Sequence, residues 1–403
     1  MPLSEASKMI KQKILQVHNY YQLPGGEDTV VANEKQLLED NGHTVVLYTR
    51  HNAELKEMGF FRKLLLPLST IFNFRTYRDI KRIIQTEKID IVHVHNTLNL
   101  VSPAVYYAAV GCGVPVVQTV HNFRLLCPAA TFYHDGRICE DCLTKGLGCA
   151  LRNKCYRGSR IQTLACVLNM LVHRATGILG NIHYICLTEF NKEKLLSLKC
   201  IPEEHVHIKP NFVNSYHPVV PANMRKNRMI FVGRLEHLKG VDLLLEAWRL
   251  LGENAPELVM CGTGPLEQWC RDFIAEHNLH TVTLRGFVPN EEVRQLIGES
   301  RALIMPTQCY ETFGMTIIEA YAGGVPVLTG NMGNCGNLVE ESVTGLHFQY
   351  NDAASLAWAV CRFQKENTIT WAENACLCYE AQYTPQANYA ALCDVYETVM
   401  HKE

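Results

Sequence analysis

The sequence predicts an α/β protein with two doubly wound parallel sheets, each in a domain of its own. Its 403 residues suit two or three domains, and a composition with 47% hydrophobic and 19% charged residues is typical of globular proteins. Short β-branched runs alternate with longer helical patterns, as they do when helices cover both faces of a parallel sheet. These runs fall into two consecutive series, and each series is long enough for one sheet.

A stretch that is rich in proline and lacks periodicity separates the two series and indicates a linker. We therefore assign residues 1–212 to an N-terminal domain, 213–225 to the linker and 226–385 to a C-terminal domain. Residues 386–403 are expected to form a helix that can cross back to the N-terminal domain. The predicted strands are residues 13–19, 43–49, 90–95, 115–120 and 184–188 in the first series, and 228–233, 257–262, 281–287, 301–306 and 325–330 in the second.

The charges and cysteines indicate where such a protein works. With 38 basic and 40 acidic residues, the chain lacks the overall positive charge that would attract nucleic acid. Residues 1–13 are polar and lack the apolar core of a secretory leader, so 17 cysteines are expected to be reduced thiols. We expect a soluble cytoplasmic protein, with the inner face of the membrane as an alternative location.

A strand–loop–helix segment in the second half carries two glutamates, Glu311 and Glu319, eight residues apart. A helix that starts near Gly314 would direct its free N–H groups and its dipole at a bound anion such as a phosphate. The alternative is an ordinary junction with a salt-bridged glutamate. The residues that would contribute to this anion site are Phe313, Gly314, Met315 and Thr316.

A second junction supplies two cations. Arg234 and Lys239 follow Gly233 at the end of a predicted strand, where an arginine fork and a lysine point charge can converge on one diphosphate. The alternative for Lys239 is an ordinary solvated surface residue. The next strand ends in Gly262 and Gly264, which half-match the GxGxxG fingerprint and would let the backbone approach a ligand.

The first half offers polar residues and glycines at the ends of predicted strands. Gly25 and Gly26 precede a helical pattern, and a plain turn is the alternative to a ligand loop. His121 ends another strand, at the sheet edge where ligands of α/β proteins collect. The remaining candidates of this kind are His95, Asn96 and Asn122.

The second-half motifs together resemble the retaining glycosyltransferases of family 4, which have the GT-B fold. The motifs are GR-x4-KG, GxGP, RGFVP and the E-x7-E of ETFGMTIIEAYAGGVPV, in that order within residues 228–346. The resemblance implies two Rossmann-like domains that face a central cleft, and transfer of a sugar with retention of its configuration. It implies that Arg234 and Lys239 bind the donor diphosphate, Glu311 the donor sugar and Glu319 the ribose.

In the N-terminal domain, the resemblance implies a glycine loop at Gly25 and Gly26 and places His121 beside the transferred sugar. His95, Asn96 and Asn122 are then expected near the acceptor. One departure concerns the glutamate that the family usually has in a GGxxE pattern, because this chain has Asn337 there.

The sequence contains no DxD, so we expect a metal-independent enzyme in which protein cations meet the charge of the leaving nucleotide. The predicted reaction joins a sugar from a UDP- or GDP-sugar to a hydroxyl of a glycan or lipid-linked oligosaccharide in surface polysaccharide biosynthesis. Two alternatives are a nucleotide-sugar 2-epimerase of the same fold and a non-catalytic sugar-binding protein.

Residues 127–155 form a cysteine-rich tract that resembles an insert of some family 4 enzymes. Four of its thiols would suffice for a structural zinc site, and Cys-x2-Cys is a common part of such sites. The alternative is a set of free thiols. The candidate ligands are Cys127, Cys139, Cys142, Cys149 and Cys155.

Residues 60–85 mix phenylalanine and leucine with six basic residues. An amphipathic helix pair that packs on the N-terminal domain is the favoured interpretation. The alternative is a membrane-surface patch, which would suit a lipid-linked acceptor.

Overall fold

A computed structural model describes residues 11–22, 25–214 and 220–401, and the side chains of residues 60–64 lie outside the description. The strands are β1 (Lys13–Tyr20), β2 (Thr44–His51), β3 (Ile91–Val94), β4 (Val116–Thr119), β5 (Tyr133–His134), β6 (Arg137–Ile138), β7 (His183–Cys186), β8 (Val206–Ile208), β9 (Lys226–Val232), β10 (Glu257–Cys261), β11 (Val282–Gly286), β12 (Ser300–Met305), β13 (Val327–Gly330) and β14 (Gly345–Phe348).

Helices follow most of these strands. They are α1 (Gly26–Asp40), α2 (Glu54–Glu57), α3 (Phe60–Ile71), α4 (Phe74–Glu87), α5 (Ala104–Val110), α6 (Asp141–Thr144), α7 (Gly148–Asn153), α8 (Arg160–Ala175), α9 (Glu189–Leu196), α10 (Val241–Leu251), α11 (Glu267–Glu276), α12 (Asn290–Gly298), α13 (Met315–Ala322), α14 (Gly333–Leu338), α15 (Ala353–Lys365), α16 (Ile369–Gln382) and α17 (Pro385–Met400). Among the helices of the described residues, none is both long and apolar enough to cross a bilayer.

The chain divides into two units, each built around one six-stranded sheet. The N-terminal unit contains the described residues of Met1–Ala130, Glu140–Pro210 and Asn388–Glu403, and the C-terminal unit contains Thr131–Cys139 and the described part of Asn211–Ala387. The predicted linker includes residues 215–219, which lie outside the described residues.

The sheet of the N-terminal unit has the strand order β2-β1-β3-β4-β7-β8, and all its strands are parallel. Strand order reverses between β1 and β3, so the loops that follow these strands flank a natural ligand position. The central strands are buried on both faces, and α17 packs on one face through Leu392, Val395 and Tyr396.

The sheet of the C-terminal unit has the order β11-β10-β9-β12-β13-β14 and is also parallel throughout. Here the order reverses between β9 and β12, where the loops containing Lys239 and Glu311 begin. The prediction of two doubly wound parallel-sheet domains is confirmed, and β8 and β14 are the sheet strands that the sequence patterns missed.

Helices α3 and α4 occupy the region of the predicted helix pair. Helix α4 is amphipathic, because Ile80 and Ile84 are buried and the side chains of Arg75 and Arg82 are more than 70% exposed. This arrangement agrees with the favoured interpretation for α4.

Candidate active site

The centre of the C-terminal site is an ion pair between the loops that follow β9 and β12. Lys239 Nζ lies 2.5 Å from Glu311 Oε1, and the hydroxyl of Thr307 donates to the same oxygen at 3.0 Å. Burial lowers the pKa of Lys239, but the Glu311 carboxylate more than compensates and raises it overall. Lys239 is therefore a fixed positive charge, held in place at the carboxyl edge of the sheet.

The loop from Glu311 to helix α13 has a defined conformation. Gly314 has φ +106°, in a region that favours glycine, and it immediately precedes the first residue of α13. The buried Asn334 side chain donates to the carbonyls of Glu311 and Thr312 at 2.7 and 2.8 Å. Gly314, Met315 and Thr316 thus lie at the positive end of the α13 dipole.

Close backbone packing, rather than an open ligand loop, explains three of the site glycines. A Cβ at Gly262 would lie 1.9 Å from the carbonyl oxygen of Gly233, and one at Gly264 would lie 2.4 Å from that of Leu235. Gly240 has φ +69°, and its Cβ would lie 1.9 Å from Pro306 O. These contacts bind the loops after β9, β10 and β12 to one another and so position Lys239.

Two further candidates of this unit, Arg234 and Glu319, and Asn337, which departs from the family pattern, differ in their surroundings. The side chain of Arg234 is 61% exposed, with a weak ion pair to Glu236 at 3.4 Å. Burial raises the pKa of the Glu319 carboxyl, and Arg294 partly opposes this rise. Asn337 lines a separate pocket with Asn374 and other residues of α16.

Part of the predicted insert belongs to the C-terminal unit and not to the N-terminal domain. The hairpin of β5 and β6 lies within Thr131–Cys139, and Tyr133 Oη donates to Gln308 Oε1 at 3.0 Å. Phe132 also packs edge-on to Tyr310. These contacts correct the expectation that the whole insert lies in the N-terminal domain, and they attach the hairpin to the loop that leads to Glu311.

In the N-terminal unit, His95 and His121 lie together after β3 and β4. Their rings are stacked, and His95 Nδ1 lies 3.0 Å from His121 Nε2. Burial lowers the pKa of His121 well below its ordinary value and that of His95 to about 3. Both rings are therefore neutral near pH 7, and they can exchange hydrogen bonds with a ligand without carrying charge.

A buried ion pair lies behind these rings. Glu34 Oε2 accepts from Lys209 Nζ at 2.9 Å, and Glu34 Oε1 lies 3.1 Å from His93 Nδ1 and 3.3 Å from His95 Nε2. Burial raises the pKa of Glu34, but Lys209 and then His93 lower it well below its ordinary value. Tyr396 of α17 bonds to His93 at 2.7 Å, so this network joins the C-terminal helix to the histidine pair.

The predicted asparagines have protein partners. Asn96 donates to the carbonyl of Asn19 and to Glu27 Oε1 at 2.8 and 3.0 Å, and Asn122 Oδ1 accepts from the backbone N–H of Arg124 at 3.1 Å. Gly25 caps α1, where its N–H donates to Asp28 at 2.9 Å. Gly25 and Gly26 are exposed, and residues 23 and 24 of their loop lie outside the described residues.

One pocket of the N-terminal unit contains four predicted residues and several that the sequence analysis missed. It encloses about 790 Å³, open solvent included. The four predicted residues are His95, Asn96, His121 and Asn122. The missed polar residues include Thr97, Tyr106, Gln118, Arg124, Asn169, His173 and Arg174. Arg124 follows Asn122 by two residues and was visible in the HNFR motif, whereas residues of α8 gave no local signal.

The candidate zinc ligands are not joined in disulfide bonds. Cys142 and Cys155 pack against a small apolar cluster around Ala150 and Met170. Within the described ranges, the groups of three ligand-type side chains close enough to share an ion contain no cysteine; they are Glu34 with His93 and His95, and His18 with Glu27 and Asp28. Zinc binding by Cys127, Cys139, Cys142, Cys149 and Cys155 remains a prediction.

Two family models match the chain. Residues 213–375 match Glycosyl transferases group 1, and residues 24–146 match Glycosyltransferase Family 4. An uncharacterised glycosyltransferase of Methanocaldococcus jannaschii is 26% identical over 194 residues, which are 44% of this chain and 50% of that protein. The aligned part thus spans half the length of this relative.

Two solved structures resemble nearly the whole chain. A glycosyltransferase from Rickettsia africae has a TM-score of 0.68 at 19% identity and covers 98% of this chain and 100% of its own. Anabaena HepE in complex with UDP and glucose has a TM-score of 0.64 at 16% identity, with coverage of 96% and 99%. These likenesses confirm the GT-B fold that the motifs predict.

Proposed function

The chain belongs to the family 4 glycosyltransferases, and from this premise we propose that it is a retaining, metal-independent hexosyltransferase. It transfers a sugar from a UDP- or GDP-sugar to a hydroxyl of a glycan or lipid-linked oligosaccharide in surface polysaccharide biosynthesis. The observation that carries the proposal is the Lys239–Glu311 ion pair beside the N-terminus of α13.

The chemical problem in this reaction is the negative charge that develops on the departing nucleoside diphosphate. Lys239 supplies a positive charge that Glu311 holds in place before the substrate arrives, and Arg234 is free to swing because it is largely exposed. Preorganised charge of this kind is worth ~10²–10³ in rate per group. Gly233, Gly262 and Gly264 shape the loops that hold these groups, and Glu319 is assigned to the ribose.

Retention follows if the acceptor hydroxyl attacks the anomeric carbon from the side that the nucleotide leaves. The bond from this carbon to the diphosphate oxygen breaks, and the hydroxyl proton passes to the departing phosphate. In this scheme Glu311 binds the donor sugar and keeps Lys239 oriented, and the centre under attack has oxocarbenium character. His121 is neutral and offers a hydrogen bond to a sugar hydroxyl. His95, which contacts His121 directly, keeps that ring in position.

The acceptor is assigned to the N-terminal unit because the pocket beside His121 combines polar and apolar walls. Asn96 and Asn122 lie at its polar side, and Leu98 and Met170 are among its apolar residues. Such a lining suits a saccharide that stacks on apolar surface and bonds through its hydroxyls.

We also propose contact with the inner face of an anionic membrane. Helices α3 and α8 pack together, and α8 exposes an apolar stripe whose members include Ile161, Leu164 and Leu168. Basic residues precede the stripe at Arg157 and Arg160, as in interfacial helices. Binding to phosphatidylglycerol vesicles that falls when Ile161 and Leu168 are changed to Ser supports this contact; equal binding by wild type and variant refutes it.

No cofactor is proposed for catalysis, and a structural zinc is proposed for the cysteine-rich tract. Metal analysis of protein purified without chelator tests both statements. One zinc per purified chain, together with full activity in an assay without added divalent metal, fits the proposal. A folded protein that contains no metal refutes the zinc site.

A panel of UDP- and GDP-sugars, each incubated with and without acceptor glycans, tests the assignment of activity. Nucleotide release that depends on an acceptor and yields a glycoside is the expected result. Release without transfer, together with a change in the free sugar, would favour the 2-epimerase alternative. Binding without any turnover across the panel would favour a sugar-binding protein.

A further inference from the structure

The pocket beside His121 has an unusual charge balance. Its lining includes two arginines, Arg124 and Arg174, and three histidines, but none of the described residues that line it is an aspartate or a glutamate. A neutral saccharide needs hydrogen-bond partners for its hydroxyls, but it needs no net charge on the protein. Burial lowers the pKa of all three histidines, so the positive charge of the lining comes from the two arginines, and this charge indicates a ligand that carries negative charge.

Both arginines are anchored by carbonyl groups and not by carboxylates. Arg124 Nη1 donates to Pro128 O at 3.1 Å, and its guanidinium carbon lies 5.3 Å from the centre of the Tyr156 ring. Arg174 Nη2 donates to Leu125 O at 2.7 Å. Within the described chain, neither side chain forms a salt bridge, and the Nε atom of each is buried without a hydrogen-bond partner.

The carboxyl group that interacts electrostatically with Arg124 does not cancel its charge. Burial, followed by the charge of Asp28, raises the pKa of Glu27 to about 8, so this group is mostly neutral at pH 7. Removing two arginine side chains partly from water without a counter-charge lowers the free energy of unfolding. A bound anion would remove that cost, and planar guanidinium groups match the oxygen geometry of a phosphate.

We propose that the acceptor is a phosphate-bearing saccharide whose phosphate is held by Arg124 and Arg174. This inference rests on the proposed function, because it places a sugar hydroxyl of the same molecule near His121. Two sources share the chemistry: a lipid-linked saccharide diphosphate and a free sugar phosphate. The apolar wall formed by Leu98, Pro103 and Leu179 accommodates either the sugar face or the start of a lipid chain.

Binding by the full chain, measured by calorimetry, tests this site independently of turnover. The probes are glucose 1-phosphate, farnesyl diphosphate and their uncharged counterparts glucose and farnesol. All measurements use the Lys239→Ala background, which removes the diphosphate-binding lysine of the C-terminal unit. We expect binding of at least one phosphate probe, and a Kd raised by roughly 10-fold or more in both Arg124→Gln and Arg174→Gln.

Arg271→Gln is the control, because the Arg271 side chain is half exposed, pairs with Glu267 and does not line the pocket. Arg174→Lys keeps the charge and supplies a second variant if one glutamine substitution prevents folding. Preference for farnesyl diphosphate identifies the lipid-linked source, and preference for glucose 1-phosphate identifies the free one. Binding of neither probe, or equal binding by wild-type and glutamine pockets, overturns the proposal.

The donor panel separates this inference from the proposed function. Arginine-dependent phosphate binding with no sugar transfer from any donor would refute the transferase assignment and leave the phosphate site standing. If wild type, Arg124→Gln and Arg174→Gln all transfer sugar to a neutral glycan equally well, the transferase assignment stands and the phosphate site is refuted.

Discussion

At the residue scale, the proposed activity depends on charges that the fold holds in place. Lys239 is 28% exposed and Glu311 is 17% exposed, so the pair is accessible to a ligand yet partly shielded from solvent. Electrostatic interactions are stronger in such surroundings than in water. A diphosphate beside Lys239 would therefore meet a charge that needs little reorganisation.

Replacing Lys239 or Glu311 by Ala is expected to lower kcat/KM by ~10²–10³ each. Lys239→Ala removes the charge that stabilises the leaving group, and Glu311→Ala removes the group that holds it. Steady-state kinetics with circular dichroism as a folding check measures the effect. Lys226→Ala, in an exposed ion pair with Glu299, is the control and should retain activity. Near-normal turnover in either site variant would refute its assigned role.

The lowered pKa values of His95 and His121 predict a pH dependence of stability. Unfolding releases each ring to its ordinary pKa near 6.5, so the unfolded chain binds more protons as the pH falls. The two neutral rings therefore contribute their full share of the free energy of unfolding above pH 6.5. As the pH falls below this value, the free energy of unfolding decreases by up to about 1.4 kcal/mol per pH unit for each ring. Urea unfolding at pH 7.5 and 5.5 measures this loss.

Comparison with the His121→Asn variant isolates the contribution of one ring, because the other titrating groups are common to both proteins. The variant should lose less unfolding free energy between the two pH values than the wild type. Equal losses in the two proteins would show that His121 titrates normally in the folded chain.

At the element scale, the loops after parallel strands position the candidate groups. Gly262 and Gly264 were expected to let a ligand approach, yet contacts between the loops themselves require glycine at both positions and also at Gly240. Most of the predicted strands were recognised because they are buried on both faces and rich in β-branched residues, although the predicted edge strands β2 and β11 are partly exposed. The edge strand β8, with three residues, and β14, with four, lack long apolar runs and gave no such signal.

Gly262→Ala is expected to destabilise the C-terminal unit by more than about 4 kcal/mol, because the new Cβ would overlap the carbonyl of Gly233. Gly286→Ala is the control. Its φ is +68° and its Cβ position is open, so it should cost only about 1–2 kcal/mol. Equal midpoints of urea unfolding for the two variants would contradict the proposed loop packing.

Glu34→Gln tests the buried link between α1 and Lys209. It leaves the ammonium of Lys209 buried without its counter-charge, which should cost about 3–5 kcal/mol. Glu39→Gln breaks the partly exposed pair with Lys35 on the same helix and should cost no more than about 0.5 kcal/mol. Urea unfolding measures the change. If Glu34→Gln lowers the free energy of unfolding by less than about 1 kcal/mol, the network of Glu34 and Lys209 adds little to stability.

At the scale of the whole molecule, local sequence patterns predicted the sheets and the motifs. Long-range contacts determine which distant segments of the chain lie together. The hairpin of β5 and β6 joins the C-terminal unit through Tyr133 and Gln308, which are 175 residues apart. Arg174 reaches the pocket from α8, about 50 residues after Arg124. Sequence periodicity does not predict such pairings, because they depend on how whole helices and strands pack together.

The configuration of the product tests the central claim most directly. Starting from the α-linked donor selected by the panel, the reaction is run with acceptor and EDTA, and the anomeric carbon of the new glycoside is assigned by NMR. We expect an α-linked product, formed at an undiminished rate. A β-linked product, or transfer that EDTA stops and excess Mg²⁺ or Mn²⁺ restores, would contradict the proposed retaining, metal-independent reaction.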